Sequence, residues 1–562
     1  MWRSVVKKSS ELEMKQRDST RSARYRTKCT AKQARQGELG SPAIGGGRGS
    51  ATFWNEVGLW RKFAYKDSKD SIAIMMGRLV AFFLQQAAGH YPSNSPIKFR
   101  GDSGLQDGNS GGTHDLMGGF YDSGNNIKFS FPTAYTVTLL SWTVVEYHQK
   151  YADIGELDHV MDIIKWGSDY LLKLFVPPNA TVGSASNDTR ISNDINCWQR
   201  PEDMNYPRPI SKCDITASDL AGEIVAALSA ASLVFKEDQA YSRNLVEAAE
   251  KLFELVTKED SQKQGTYTMV DDCGGEARNF YNSSGYEDEL GWGGTWLFFA
   301  TGNTSYLEDV SKRYELAKTE EKPFDKGIFY WNNKLTANGV LLTRLRYFHD
   351  LGYPYEAALA SSSNMTESVI CSYISDQIFN KTRGGLILLK PDYDTPLQFA
   401  ATAAFLSKLY SDYLDLLRRS GVTCSSDGFS VYYILGDNPM KMSYMVGFGD
   451  HFPTQVHHRS ASIPWDNQHY SCAEGDRWLN SVDPNPNVLL GAMVAGPDQF
   501  DNFIDQRGKT QFTESTISSN AGLVAALIAL HDPPSNADSN GLNLGIDQMG
   551  IFDQIRLVPT GP

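Results

Sequence analysis

Residues 218–235 read SDLAGEIVAALSAASLVF, and their pattern decides the fold. Ser218 or Asp219 can cap a helix start, and the small and aliphatic residues that follow run nearly all round a helical period. A helix apolar on every side is buried on more than one side, so it belongs inside a layered structure. SNAGLVAALIAL, 519–530, reads the same way. Working outward, helical spacing predicts segments near 70–88, 132–151, 155–175, 217–236, 240–257, 287–301, 304–318, 335–350, 355–361, 365–377, 396–418 and 520–531. Strand-like alternation is scarce. Helices that alternate between buried and half-exposed predict one all-α domain, with antiparallel pairs arranged as a toroid.

That domain is assigned to residues 70–535, with a basic, disordered segment at 1–69 and a tail at 536–562. Of the 53 Lys and Arg, eleven fall in residues 1–40 beside only four of the 66 Asp and Glu, so the body is more acidic than the net charge of −13 suggests. An acidic body argues against nucleic acid as a partner. The basic head has too few apolar residues to bury a core. The best apolar run, SIAIMMGRLVAFFLQQAAG (71–89), carries Arg78 and two Gln and suits an amphipathic helix, not a membrane span. No secretory signal is visible at the N-terminus. Sequons at Asn179, Asn187, Asn282, Asn303, Asn364 and Asn380 nevertheless point towards secretion, and seven Cys allow three disulfides in the body with Cys29 left over. The 27 Tyr, 27 Phe and 11 Trp fit core packing and also fit a stacking surface for sugar rings.

The Gly-, Pro- and Asn-rich connections 88–131, 176–215 and 437–517 are too long for passive loops, and connections of that length carry function. Asp122 lies there in a glycine-bracketed turn, GGFYDSGNN. Glu514 lies just before the second all-apolar helix, and Asp505 nine residues earlier. Two carboxyls across a cleft, one protonated and one ionised, are the minimum equipment for glycoside hydrolysis. PTQVHHRSAS (453–462) adds His457, His458 and Arg459, which can orient hydroxyls or stand as structural residues. CWQRPEDM (197–204) clusters Trp198 with Arg200, Glu202 and Asp203, read as a structural Arg–carboxylate group.

SYMVGFGDHFPTQVHHR (443–459) and FIDQRGKTQFTESTISSNAG (503–522) resemble the two signature stretches of glycoside hydrolase family 9 endoglucanases. RGDSGLQDG, MGGFYDSGNNIKFSFPTAYTVTLLSW, CWQRPEDM, ILGDNP and GAMVAGPD resemble further family blocks in the family's order, from about residue 70 to 531. The resemblance is greatest to the plant membrane-anchored, KORRIGAN-type group. It implies an (α/α)6 toroid and inverting hydrolysis of β-1,4-glucan, with cello-oligosaccharide as the bound partner. It also implies a monomer associated with wall-synthesis machinery, at the cell surface or in the secretory pathway. Carried over by position, Glu514 is the general acid and Asp122 one of two water-holding carboxylates. His457 and Asp505 join the catalytic set, while Arg459, Tyr281, Trp198 and Asn125 face substrate. No cofactor is required. A structural calcium would be held by Ser284, Gly285, Asp288, Glu289 and Asn332, whose hard oxygens suit it.

The departures are specific. The family's D-A-G-D reads D-S-G-N, so Asn125 occupies the position of the main base, and an amide takes no proton from water at neutral pH. Ile195 stands for a histidine, Thr510 for an aromatic and Asn332 for a calcium-binding aspartate. The expected family anchor is not visible. Two readings follow: a glucanase weakened at its base, or a β-glucan-binding protein that uses the same cleft.

Overall fold

The structure, a computed structural model, describes residues 69–555 apart from 109–114, 177–178, 183–193, 259–263, 270–271, 350, 353, 376–377, 420–429, 532–544 and 548–549. Segment 1–68, most of the tail, Cys29, Cys424 and the sequon at Asn187 lie outside the described residues.

The long helices are α1 (Lys69–Gln86), α2 (Ser130–Ile154), α3 (Leu157–Leu174), α4 (Ser218–Val234), α5 (Gln239–Lys258), α6 (Glu287–Thr301), α7 (Thr304–Glu320), α8 (Leu335–Phe348), α9 (Glu356–Ile374) and α10 (Pro396–Leu416). After the short helices α11 (Arg459–Ser462), α12 (Cys472–Leu479) and α13 (Thr510–Thr513) comes the last long one, α14 (Ile517–Leu530). Contacts run α14–α2–α4–α6–α8–α10 and back to α14, which closes an inner ring. On its outside, α3 packs on α2, α5 on α4, α7 on α6, α9 on α8 and α1 on α14. This is the (α/α)6 toroid.

The residue patterns explain who sits where. α4 and α14 are buried almost all round, as their sequences predict, whereas α5 keeps an exposed polar face. α4 and α6 approach so closely that a Cβ on Gly293 would lie 2.6 Å from the Gly222 carbonyl oxygen. The barrel interior is aromatic: Trp142, Trp292 and Trp296 meet edge to face at 5.7–6.1 Å, and Trp142 meets Phe405 at 5.0 Å. Much of the aromatic surplus is therefore core. A buried ion pair, Arg344–Glu146 at 3.2 Å, is completed by the Tyr413 hydroxyl on Glu146 at 2.7 Å.

Two predicted segments, 355–361 and 365–377, are one continuous helix, α9. The serines between them turn inward: Ser362 and Ser363 both donate to the Leu359 carbonyl at 2.9 Å, so the helix absorbs them. Helix α12 was not anticipated, although Ser471 and Glu474 form a capping box there. Short antiparallel strands are peripheral, with Phe175 opposite Ala180 and Asn380 opposite Leu388.

Candidate active site

The segments that lead into the inner helices converge on one place. Residues 122–125 form a tight turn ahead of α2, closed by the Asn125 N–H on the Asp122 carbonyl at 2.9 Å. Ser123 and Gly124 both have positive φ, 58° and 73°, as a turn of this hand requires. Glycine is mandatory at 124, because a Cβ there would lie 2.1 Å from the His457 carbonyl oxygen. Arg459 N–H donates to the Gly124 carbonyl at 3.2 Å, so the D-S-G-N turn and the H-H-R loop are seated on each other.

Asp122 is 1% exposed and fully engaged. Its Oδ1 accepts from Ser123 N at 2.9 Å and from Ile517 N, the first residue of α14, at 2.8 Å. Its Oδ2 accepts from the Tyr281 hydroxyl. Burial pushes Asp122 up to about 6, outweighing those three donors, each of which favours the charged form. Tyr281 is held between Phe129 and Trp331, with ring centroids at 5.0 and 4.9 Å, and its own hydroxyl is pushed well above the usual range by burial and by Asp122.

Glu514 follows α13 and precedes α14. It is half-buried, and burial raises it to about 8, helped by the charges of Asp122 and Asp394 and opposed by a hydrogen bond from Ser123. It is therefore protonated at neutral pH, the state a general acid needs. The backbone of His457 runs beside it, His457 N donating to the Thr513 carbonyl at 3.1 Å. Because the Arg507 carbonyl can only accept, its 2.8 Å contact fixes the proton on His457 Nδ1. Burial and the nearby Arg459 and Arg507 lower His457 to about 4, so it is neutral and keeps Nε2 as an acceptor.

The remaining sequence-named residues are not all at the reacting centre. Arg459 is buried and pairs with Asp194, at 2.5 Å to Oδ1 and through a second bond to the Asp194 carbonyl. Asp194 also accepts from Tyr206 at 2.6 Å and from Asn126 N at 3.1 Å. Trp198 is 5% exposed and lies edge-on to His457 at 4.8 Å, with Nε1 on Ser462 at 2.9 Å, so it backs the histidine. Asp505 accepts from Thr454 N at 2.7 Å, Thr454 Oγ1 at 2.9 Å and Gln455 N at 2.9 Å, which makes it the clamp of the loop that leads to His457. Asn125 is half-buried, and its side chain makes no hydrogen bond among the described residues. Ile195 is 46% exposed and presents an apolar side chain at that position. Within the CWQRPEDM cluster Arg200 pairs with Asp203 at 2.8 Å, whereas Glu202 pairs with Arg100 from outside it at 2.7 Å.

Sequence reasoning missed Ser123, Asp194 and Asp394. Ser123 was legible as a non-glycine inside a glycine turn. The other two meet their partners only through long-range packing, for which the sequence carries no local signal.

The calcium set is placed together but is turned on itself. Ser284 N donates to Asn332 Oδ1 at 3.0 Å, which fixes the amide, and Asn332 Nδ2 then donates to Ser284 Oγ at 2.9 Å. An N–H donor thus occupies the place where an aspartate would offer oxygen. Asp288 Oδ2 accepts from Lys334 N at 2.8 Å, and the buried Lys334 ammonium lies 3.5 Å from Glu289 and 2.6 Å from Glu223. Gly285 lends its carbonyl to Ser283 Oγ at 3.1 Å. Among the described residues no group of three or more His, Cys, Asp or Glu could hold a metal. These residues as arranged do not fit a calcium ion.

A helical toroid that carries a glutamic acid raised to about 8 and a buried aspartate ahead of two neighbouring inner helices has the equipment of a carbohydrate-cleaving class of protein. The family model for glycosyl hydrolase family 9 matches residues 73–527, and the chain belongs to that family. It is 44% identical to Endoglucanase 25 of Arabidopsis thaliana over 525 residues, spanning 88% of this chain and 82% of that one. It is 42% identical to Endoglucanase 10 of Oryza sativa subsp. japonica over 522 residues, with the same coverage. Among solved structures, the endoglucanase of the termite Nasutitermes takasagoensis superposes with a TM-score of 0.68 at 32% identity, covering 83% of this chain and 99% of that one. Endoglucanase CelQ of Clostridium thermocellum, solved with cellotetraose, gives 0.64 at 25% identity, covering 84% and 71%. The chain is a glycoside hydrolase of the endoglucanase type.

Proposed function

We propose that this chain cleaves internal β-1,4-glucan bonds of plant cell-wall polysaccharide by inversion, with Glu514 as the general acid and with turnover limited by Asn125. The observation that carries this is Glu514 itself, raised to about 8 by burial and by two neighbouring carboxylates. Asn125 removes the side chain that would take the proton from water, and general base catalysis is worth roughly 10²–10⁴-fold. Arg459 acts from beneath, holding Asp194 and the turn and not the sugar. The ligand class follows from the neighbours crystallised with cello-oligosaccharides.

A second reading, a glucan-binding protein without turnover, is favoured by the same amide and by the commitment of Asp122 to three donors. Hydrolysis of carboxymethylcellulose and cellopentaose separates the two. Slow turnover abolished by Glu514→Gln, with binding kept, supports the enzyme; binding with no product in any variant supports the binder.

A secretory or cell-surface location fits the disulfides Cys197–Cys472 and Cys213–Cys273, and Cys371 is disulfide-bonded as well. The sequon residues Asn282, Asn364 and Asn380 are exposed. Among the described residues no helix is long and apolar enough to cross a membrane.

A further inference from the structure

We propose that Asp394 is the carboxylate that activates water in this site, in place of the base missing at Asn125. The inference rests on the inverting reading given above. A general base needs an oxygen lone pair that no other donor holds, near the acid but not bonded to it. Asp122 accepts three hydrogen bonds, and so does Asp505. Asp194 is taken by Arg459, Tyr206 and Asn126. Asp394 differs from all of them: it is exposed and makes no hydrogen bond or ion pair among the described residues.

Its place in the fold is the right one. Asp122 stands ahead of α2, Tyr281 ahead of α6 and Glu514 ahead of α14; Asp394 stands directly ahead of α10. α10 and α14 lie side by side in the ring, and the link between their heads is short. Gly496 donates to the Phe512 carbonyl at 3.2 Å, and it seats on Leu397, where a Cβ would be only 2.4 Å from the leucine. Asp122 and Asp394 are the two carboxylates whose charges bear on Glu514.

The backbone between Asp394 and α10 is strained. Thr395 adopts φ 69° and ψ 48°, a left-handed conformation that a β-branched residue takes only when its surroundings impose it. Such outliers gather at functional sites. Here the left-handed residue reverses the chain immediately after Asp394, and the Gln398 amide bonded to Thr395 Oγ1 holds it.

The step balances. A water oxygen bonds to the anomeric carbon while its proton passes to the Asp394 carboxylate. The bond from that carbon to the leaving sugar breaks, and the leaving oxygen takes the proton of the Glu514 carboxyl. The products are an α-configured reducing end and a free hydroxyl, and solvent returns the proton from Asp394 to Glu514.

The test compares the full-length wild type, Asp394→Asn and Asp394→Ala on cellopentaose, with cellotetraose binding measured alongside. Asp394→Asn is expected to lower kcat by roughly 10²-fold or more, the loss typical of a missing base, while Kd changes by less than about threefold. Sodium azide, small enough for the space left by Asp394→Ala, is expected to restore turnover in that variant and to give the α-glycosyl azide. An Asp394→Asn protein that keeps most of the wild-type kcat overturns the proposal and leaves the hydrolase reading standing. A loss of binding in step with turnover also overturns it, by making Asp394 a sugar contact. A wild type that binds but forms no product overturns both.

Discussion

Ile517 N–H donates to Asp122 Oδ1 at 2.8 Å, so the helix that carries Glu514 at its head also anchors the carboxylate of the D-S-G-N turn. The two halves of the site are thus joined through one helix start, whose free N–H groups suit a negative charge. The geometry of the pair survives the loss of the second aspartate because it does not depend on residue 125. Asn125 contributes its backbone N–H to the turn, and an aspartate would do the same.

Asn125→Asp should therefore raise kcat on carboxymethylcellulose at least ~10-fold, a modest share of the ~10²–10⁴ that a general base supplies. The substitution keeps the turn, so the melting temperature should stay close to wild type. An unchanged rate in a folded variant would sink the idea that the amide limits turnover.

Glu514 sets a pH dependence whose sign can be worked out. Its carboxyl is raised from the ordinary value to about 8 in the folded state, so between pH 4.5 and 8 the folded protein holds a proton that the unfolded chain has released. Stability contributed by this group is greatest at acid pH and falls as pH rises through that window. Glu514→Gln should consequently gain in melting temperature over wild type as pH is raised from 4.5 to 8. The gap should level off above 8. In the wild type, hydrolysis should fall on the alkaline side with a midpoint near 8, read from kcat/KM against pH.

Asp505→Ala should act on the histidine loop and not on the bond-breaking step. Removing the clamp frees Thr454 and Gln455, two to three residues from His457. A misplacement of about 1 Å can cost ~10²-fold, so kcat/KM should fall without vanishing. Complete loss of turnover with the fold intact would instead make Asp505 part of the chemistry.

Calcium should not matter to this chain. The melting temperature should be the same in EDTA and in millimolar calcium chloride, because a ligand stabilises only what it binds. Asn332→Asp replaces the N–H that faces Ser284 Oγ with oxygen, and it should introduce a calcium-dependent rise. A rise in the wild type would show that the Ser284–Asn332 bonds open for the ion.

The ring was legible because α4 and α14 are apolar all round, which only an inner position satisfies. The gap between the predicted segments 355–361 and 365–377 closes because the hydroxyls of Ser362 and Ser363 find a carbonyl one turn back, a satisfaction that spacing of apolar residues does not show. At the site, Asp122 and Glu514 were legible from their motifs, and the structure brings them together. Asp194 and Asp394 were not, since one takes its role from a buried arginine 265 residues away and the other from the packing of α10 on α14. Arg459 is a different case: its motif marks it as important, and the fold adds that it is paired with the buried Asp194.

The most direct test of the central claim is proton NMR of cellopentaose during hydrolysis by the wild-type protein. Inversion at a site with an amide at residue 125 predicts slow cleavage of internal bonds in which the α-anomer of the new reducing end appears first and then mutarotates. A β-anomer appearing first, or binding without any new reducing end, would contradict it.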